Sequence, residues 1–280
     1  MRIRIWGSRG SLATPGPDTI RYGGNTSCIE VRPDAGGLVI LDAGTGIRQL
    51  GNAIRGSGVR RIDLLLTHLH LDHLEGLGFF PPLWDEAVEL HVWGPASPMQ
   101  SLRERIATYL SPPLFPVHLS DVPAQVVFHD APDDEVPLGA VRVRAQPIIH
   151  SGPTVGYRLE EDGRILAYLT DHEPAHGADL RRAAPEWVSG FGIAQGADLL
   201  VHDCQYTEEE YPAHVGWGHS STAHVADFAR MAKVRRLVMF HHDPMHTDED
   251  LERLLARVRE LAEGGFEVHL AREGMELEVA

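Results

Sequence analysis

Apolar positions along the chain recur at two periods, one of two residues and one near 3.6, and the pattern switches between them several times. Residues 2–6 alternate arginine with Ile3, Ile5 and Trp6, as a half-buried strand does. Short apolar runs at 27–31, 38–41 and 62–66 predict further strands. Glycine, serine and asparagine at 7–11, 23–25 and 36–37 punctuate the first three. A helix is predicted over 47–54, a strand over 90–92, and a helix over 99–110 that stops before Ser111, Pro112 and Pro113. The middle of the chain is rich in strands, at 125–128, 141–147, 154–160 and 164–170. A strand at 199–202, a helix at 221–233, a strand at 237–240 and a helix at 248–262 follow, and strands at 266–270 and 275–279 close the chain. Strands first, then mixed strand and helix, occur twice, with no internal repeat and no low-complexity linker. This order predicts an α+β chain: two sheets face to face with helices outside, a four-layer αββα sandwich in a single domain over residues 1–280.

The bulk numbers narrow this picture. A hydrophobic share of 43% is ample for one sizeable core. A formal charge of −15 argues against a surface that coats nucleic acid, which needs clustered lysine and arginine. The two cysteines, Cys28 and Cys204, are far apart, which argues against a disulfide framework and a thiolate zinc knuckle. No signal-peptide run precedes the first strand and no apolar run is long enough to cross a bilayer, so a cytoplasmic location is expected. Pro112 to Pro116 cannot form a central strand; it either crosses the surface or walls a site with Phe115.

Candidate chemistry begins directly after the apolar run Leu64, Leu65, Leu66. His68, His70, Asp72 and His73 fall within six residues. Imidazole nitrogen and carboxylate oxygen suit zinc, manganese or iron, and one short turn can offer ligands to two metals. Further candidates stand at the ends of predicted strands: His150, Asp171, Asp203, and the pair His241 and His242. Strand ends are rigid and converge on one rim, so one shared site explains all of them together.

These residues carry a resemblance that covers nearly the whole chain. Leu41-Asp42-Ala43-Gly44, the His68-to-His73 cluster, His150, Asp171 and His241 resemble in turn the motifs of the metallo-β-lactamase-fold hydrolases. The N-terminal loops 7–11 and 23–27 and the loop Gly218-His219-Ser220-Ser221 are similar to the phosphodiesterase branch that includes ribonuclease Z and the phosphoribosyl cyclic phosphodiesterases. The resemblance implies His68, His70 and His150 on one metal, Asp72, His73 and His241 on a second, Asp171 bridging them, and Asp42 in support. It prefers His241 to His242 as the ligand, because the family's ligand stands three residues before a proline, here Pro244. It implies two divalent cations, zinc first with manganese or iron as alternatives, and allows a homodimer.

It also implies catalytic roles for Asp72, which would orient the nucleophile, and for His219 backed by Asp203, which would protonate the leaving oxygen. His242 and Asn25 are the expected substrate contacts; Arg9 is a weaker candidate, whose preferred reading is a surface arginine. Ribonuclease Z carries a tRNA-gripping arm between the third and fourth motifs, whereas here His150 and Asp171 are separated only by a tight two-strand connection. The expected substrate is therefore a small phosphodiester or nucleotide, cyclic or short, with neither a membrane nor a large nucleic acid expected as a partner. The alternatives are a lactonase, thioesterase or β-lactamase on the same fold, a nuclease acting on short RNA, and a non-catalytic nucleotide- or metal-binding module.

Overall fold

The structure is a computed structural model that describes residues 1–131 and 133–280. Among the described residues, fourteen strands form two seven-stranded sheets. The first half of the chain supplies β1 (Arg2–Gly7), β2 (Cys28–Arg32), β3 (Val39–Leu41), β4 (Arg61–Leu65), β5 (Glu89–Gly94) and β6 (Gln125–Asp130). The second half supplies β7 (Val136–Leu138), β8 (Val141–Pro147), β9 (Val155–Glu161), β10 (Arg164–Leu169), β11 (Leu199–Asp203), β12 (Arg236–Phe240) and β13 (Glu267–Leu270). The last strand, β14 (Glu276–Glu278), returns to the edge of the first sheet beside β1. The strand orders are β14-β1-β2-β3-β4-β5-β6 and β13-β12-β11-β10-β9-β8-β7.

Each sheet is antiparallel over one half and parallel over the other, with β3 to β6 the parallel run of the first and β10 to β13 that of the second. Helices lie outside: α1 (Ile47–Ala53), the one-turn α2 (Leu71–Leu74) and α3 (Leu102–Tyr109) belong to the first half, and α4 (Phe191–Ala194), α5 (Thr222–Met231) and α6 (Asp248–Ala262) to the second. Three apolar clusters separate the four layers. The inner one joins the two sheets through Ile5, Val31, Leu65, Tyr157, Tyr168, Val201 and Phe240. The outer ones seat α1 and α3 on the first sheet and α4, α5 and α6 on the second. The αββα expectation is met.

Parallel strands explain where the chemistry goes. The carboxyl ends of parallel strands leave a crevice at one rim that the connecting loops fill. Leu41 pairs with Leu65 at the ends of β3 and β4, so Asp42 and the following residues of β4 emerge together. Leu169 pairs with His202, and Asp203 pairs with Phe240, so Asp171, Asp203 and His241 leave β10, β11 and β12 side by side. The two rims are tied to each other where the Val155 N–H donates to the Thr67 carbonyl at 3.0 Å and the Tyr157 hydroxyl donates to the Leu66 carbonyl at 2.8 Å.

Candidate active site

Asp42, Asp171 and His241, at the ends of β3, β10 and β12, all hold left-handed backbones, with φ of 60°, 50° and 58°. That conformation is uncommon for residues other than glycine and turns each side chain sharply out of its sheet. Asp171 thereby reaches the centre of the rim. Its Oδ2 lies 3.6 Å from His68 Nε2 and 3.7 Å from His150 Nε2, and His70 Nδ1 lies 3.2 Å from that same His150 nitrogen. Its Oδ1 lies 2.9 Å from His73 Nε2 and 3.1 Å from His241 Nε2. Asp72 Oδ2 completes this second set, 3.2 Å from each of those two nitrogens. One carboxylate therefore faces His68, His70 and His150 with one oxygen and Asp72, His73 and His241 with the other. The second set is buried throughout and so are the side chains of His68 and His150, whereas His70 is exposed, so solvent reaches the site past His70.

The far side of four of the five ligand rings, all but His70, is held. Asp42 accepts from His73 Nδ1 at 2.9 Å, from the Thr67 N–H at 2.8 Å and from the Tyr168 hydroxyl at 2.8 Å. His68 Nδ1 sits 3.1 Å from Thr67 Oγ1, and His150 Nδ1 donates to the Gly218 carbonyl at 3.1 Å. His241 Nδ1 lies 3.2 Å from Gln205 Oε1, and the Ser11 N–H donates to Asp72 Oδ2 at 2.7 Å. A hydrogen bond on the outer nitrogen fixes the tautomer and leaves the inner lone pair free for a metal.

The donor set fits two cations. His68 Nε2 is buried, points at the centre and has no hydrogen-bond partner. An orphaned buried nitrogen of this kind calls for a ligand. Charge makes the same demand. Burial alone would raise the carboxyls of Asp171 and Asp72, yet the surrounding histidines hold both well below the usual range. Burial alone would lower His241, yet Asp171, Asp203 and Asp72 push it up to about 10, and His73 is raised in the same way. The carboxylates thus recruit positive charge into a buried space. Protons on His73 and His241 meet that need in the absence of metal, and divalent cations would meet it in their place.

Beside the cluster stands a dyad. His219 Nδ1 donates to Asp203 Oδ2 at 2.7 Å, while the Ser220 N–H donates to Asp203 Oδ1 at 2.8 Å. The His219 ring stacks on His241 with centroids 5.1 Å apart and meets His150 edge-on at 5.1 Å, so it touches both ligand sets. Burial favours the neutral Asp203 carboxyl, but His219 and His241 outweigh it and keep the group ionised. Ser221 caps α5 by accepting from the His224 N–H, which anchors the loop that carries His219.

Not every expected residue arrives here. His242 is 1% exposed and turned away; its Nε2 donates to the Ala271 carbonyl at 2.9 Å, so it is a packing residue rather than a substrate contact. The Asn25 side-chain amide is taken by Glu273 at 3.0 Å. Arg9 is neither a surface arginine nor a phosphate contact. It is fully buried and clamps the loops by donating to the carbonyls of Gly23, Asp243 and His246. Phe115 is 7% exposed and packs against Phe79, Trp84 and Tyr109 in the outer cluster beside α1, so it serves the core there. Thr67, Tyr168, Gln205 and Ser11 support the site without having been foreseen. Only Thr67, next to the histidine cluster, offered a signal.

A family model described as the β-lactamase superfamily domain matches residues 38–242. Ribonuclease Z of Haloarcula marismortui is 28% identical over 325 aligned positions, which span 100% of this chain and 97% of that protein. Among solved structures, a diphosphatase from the PhnP family is 20% identical with a TM-score of 0.69, covering 100% of this chain and 98% of that one. The metallo-β-lactamase-fold protein YhfI from Bacillus subtilis is 16% identical with a TM-score of 0.68, covering 99% of each chain. The superfamily model spans well over half of the chain, from the strand before Asp42 to His242, and the two solved structures share its architecture from end to end: the chain belongs to the β-lactamase superfamily and has the metallo-β-lactamase fold.

Proposed function

We propose that the chain is a dinuclear metal-dependent phosphodiesterase that hydrolyses small phosphodiesters, cyclic or short. The observation that carries this reading is the shared Asp171 carboxylate, one oxygen toward each ligand set, with the His219–Asp203 dyad in contact with both. His68, His70 and His150 would hold one cation, Asp72, His73 and His241 the other, and Asp171 would bridge them. When bound, such a pair supplies a hydroxide nucleophile at neutral pH and neutralises charge on the phosphoryl oxygens, with zinc the first expectation and manganese or iron compatible with the same donors.

The chain's own residues do the rest. Asp72, anchored by the Ser11 N–H, orients the attacking water through its carboxylate. His219 donates a proton from Nε2 to the departing alkoxide, because its Nδ1 is committed to Asp203. The buried Asp203 carboxylate holds the ring through Nδ1, which leaves Nε2 as the atom that carries the transferable proton. The burial of Asp72, His73 and His241 keeps that side dry, so the substrate enters past the exposed His70.

Size selectivity follows from the connection between His150 and Asp171. It consists of the hairpin β9–β10, closed by Asp162 and Gly163 at φ of 51° and 77°, which leaves no room for a tRNA-gripping arm there. The 325 aligned positions with the Haloarcula protein exceed the 280 residues of this chain by 45, in keeping with a segment that this chain lacks. The name of that relative favours a second reading, cleavage of short RNA. The discriminating experiment sets bis(p-nitrophenyl) phosphate and 2′,3′- and 3′,5′-cyclic nucleotides beside a labelled oligonucleotide, nitrocefin and a lactone panel. Turnover of the small diesters supports the proposal. Cleavage of the oligonucleotide alone would establish the RNA reading, and turnover of lactone or nitrocefin alone would replace both.

A further inference from the structure

Two residues beyond Asp171, Glu173 is a fully buried carboxylate that the reaction as described does not use. Its partners lie on the loop leading to His219. Oε1 accepts from the Tyr211 hydroxyl and from the Gly216 N–H at 3.1 Å. Oε2 accepts from the Gly216 N–H at 3.0 Å and the Gly218 N–H at 3.0 Å. A buried carboxylate surrounded by donors is a strong fastening point, because such bonds are charge-assisted and their loss leaves an uncompensated group.

The fastening closes a circuit. The Glu173 N–H donates to the Ile149 carbonyl at 3.1 Å, directly before His150. Gly218, held by Glu173 through its N–H, accepts from His150 Nδ1 through its carbonyl. Gly218 has φ of 86°, and a Cβ there would lie 2.2 Å from His150 Nδ1, so only glycine permits this approach. The next residue is His219. On one side Ser220 Oγ donates to the His172 carbonyl at 2.6 Å, which binds the far end of the loop to the segment that carries Glu173.

We propose that Glu173 is a positioning residue: it holds the Gly216–Gly218 turn so that His150 and His219 keep their orientation relative to Asp171. The proposal rests on the phosphodiesterase reading for its kinetic arm and on geometry alone for its structural arm. The expectation for Glu173→Gln is local loosening, because the amide group turns one donor toward backbone N–H groups that need an acceptor. Tyr211→Phe, which leaves the carboxylate and both glycine contacts in place, should have the smaller effect.

The test combines amide hydrogen exchange with kinetics on the full chain. In Glu173→Gln, exchange across residues 214–219 should accelerate by about 10-fold or more, as loss of a buried charged hydrogen bond implies, while β11 and β12 stay protected. Turnover of diesters with alkyl leaving groups should fall by about 10-fold or more, and turnover of p-nitrophenyl diesters by much less, since only the former need the proton from His219. Exchange in the loop that matches the wild type overturns the proposal, and so does an equal loss for both leaving groups at unchanged metal content. Acceleration spread evenly over β11 and β12 assigns Glu173 to general stability and overturns it as well. If the wild type cleaves no diester at all, the phosphodiesterase reading fails, and the exchange arm alone decides the role of Glu173.

Discussion

Asp42 illustrates how much one side chain can organise. It accepts from Thr67, His73 and Tyr168 at once, from a left-handed backbone that asparagine also tolerates. Asp42→Asn should therefore keep the turn and lose the charge behind His73. Metal affinity is expected to fall by about 10- to 100-fold, measured by competition with a chromophoric chelator, and an unchanged affinity would refute the supporting role. His219→Ala should retain metal and lose turnover on alkyl diesters by about 100-fold or more, with p-nitrophenyl substrates least affected. Equal losses would remove His219 as the proton donor. A third expectation concerns His202, whose Nδ1 donates to the Asp203 carbonyl and whose Nε2 faces His172 Nδ1 at 2.9 Å, leaving no room for a second proton. Burial lowers it from 6.5 to about 4. The unfolded chain then takes up the proton more readily than the folded one, so the stability linked to His202 is complete above pH 6.5 and is lost as pH falls toward 4. The loss amounts to about 3 kcal/mol at about 1.4 kcal/mol per unit. Urea unfolding at pH 7.5, 5.5 and 4.5 should show this slope, reduced in His202→Gln; an identical slope in the variant would contradict the assignment. At this scale the histidine cluster was legible from its spacing and Asp171, Asp203 and His241 from their strand-end positions, whereas the pairing of His219 with Asp203 came only from the resemblance of the loop 218–221. His242, Asn25 and Arg9 were not legible, because adjacency to a ligand or a glycine-rich loop does not say which way a side chain turns. His241 and His242 emerge from the same strand end on opposite sides, one into the cluster and one onto Ala271.

Among the elements, those with both an apolar period and a cap were read most accurately. α6 runs over the expected Asp248–Ala262, started by a capping box in which Thr247 accepts from the Asp250 N–H and Asp250 accepts from the Thr247 N–H. Thr247→Ala should destabilise the protein by about 1 kcal/mol, read from the urea midpoint, without changing metal content. A change in metal content would mean that α6 is coupled to the site. α3 begins at Leu102 rather than 99 because Ser101 and Glu104 form a second capping box that overrides the apolar Met99. β7, α2 and α4 escaped sequence reading because three or four residues carry no measurable period. α2 matters most: it is the one turn that carries Asp72 and His73, and it forms because His70 to Leu74 are folded back onto Ala43, whose N–H donates to the His73 carbonyl at 2.8 Å. Tertiary contact creates that turn, so local propensity could not announce it.

At the scale of the whole molecule, the two halves bring their strand ends to one rim, and each ligand set draws on both. His68 and His70 come from the first sheet's rim and His150 from the second; Asp72 and His73 come from the first and His241 from the second. The site therefore exists only when the sheets are packed, and metal should stabilise the fold as well as activate it, by an amount that grows with free metal concentration. The proposal of a small anionic substrate held by cations, rather than a polyanion held by a basic surface, draws on the net charge of −15 and the short β9–β10 hairpin. The central claim is that two cations share Asp171. Anomalous diffraction from zinc-soaked crystals tests it most directly. Two peaks, one among His68, His70 and His150 and one among Asp72, His73 and His241, with Asp171 between them, are the expected result; a single peak at saturating zinc, or peaks away from Asp171, would contradict the account.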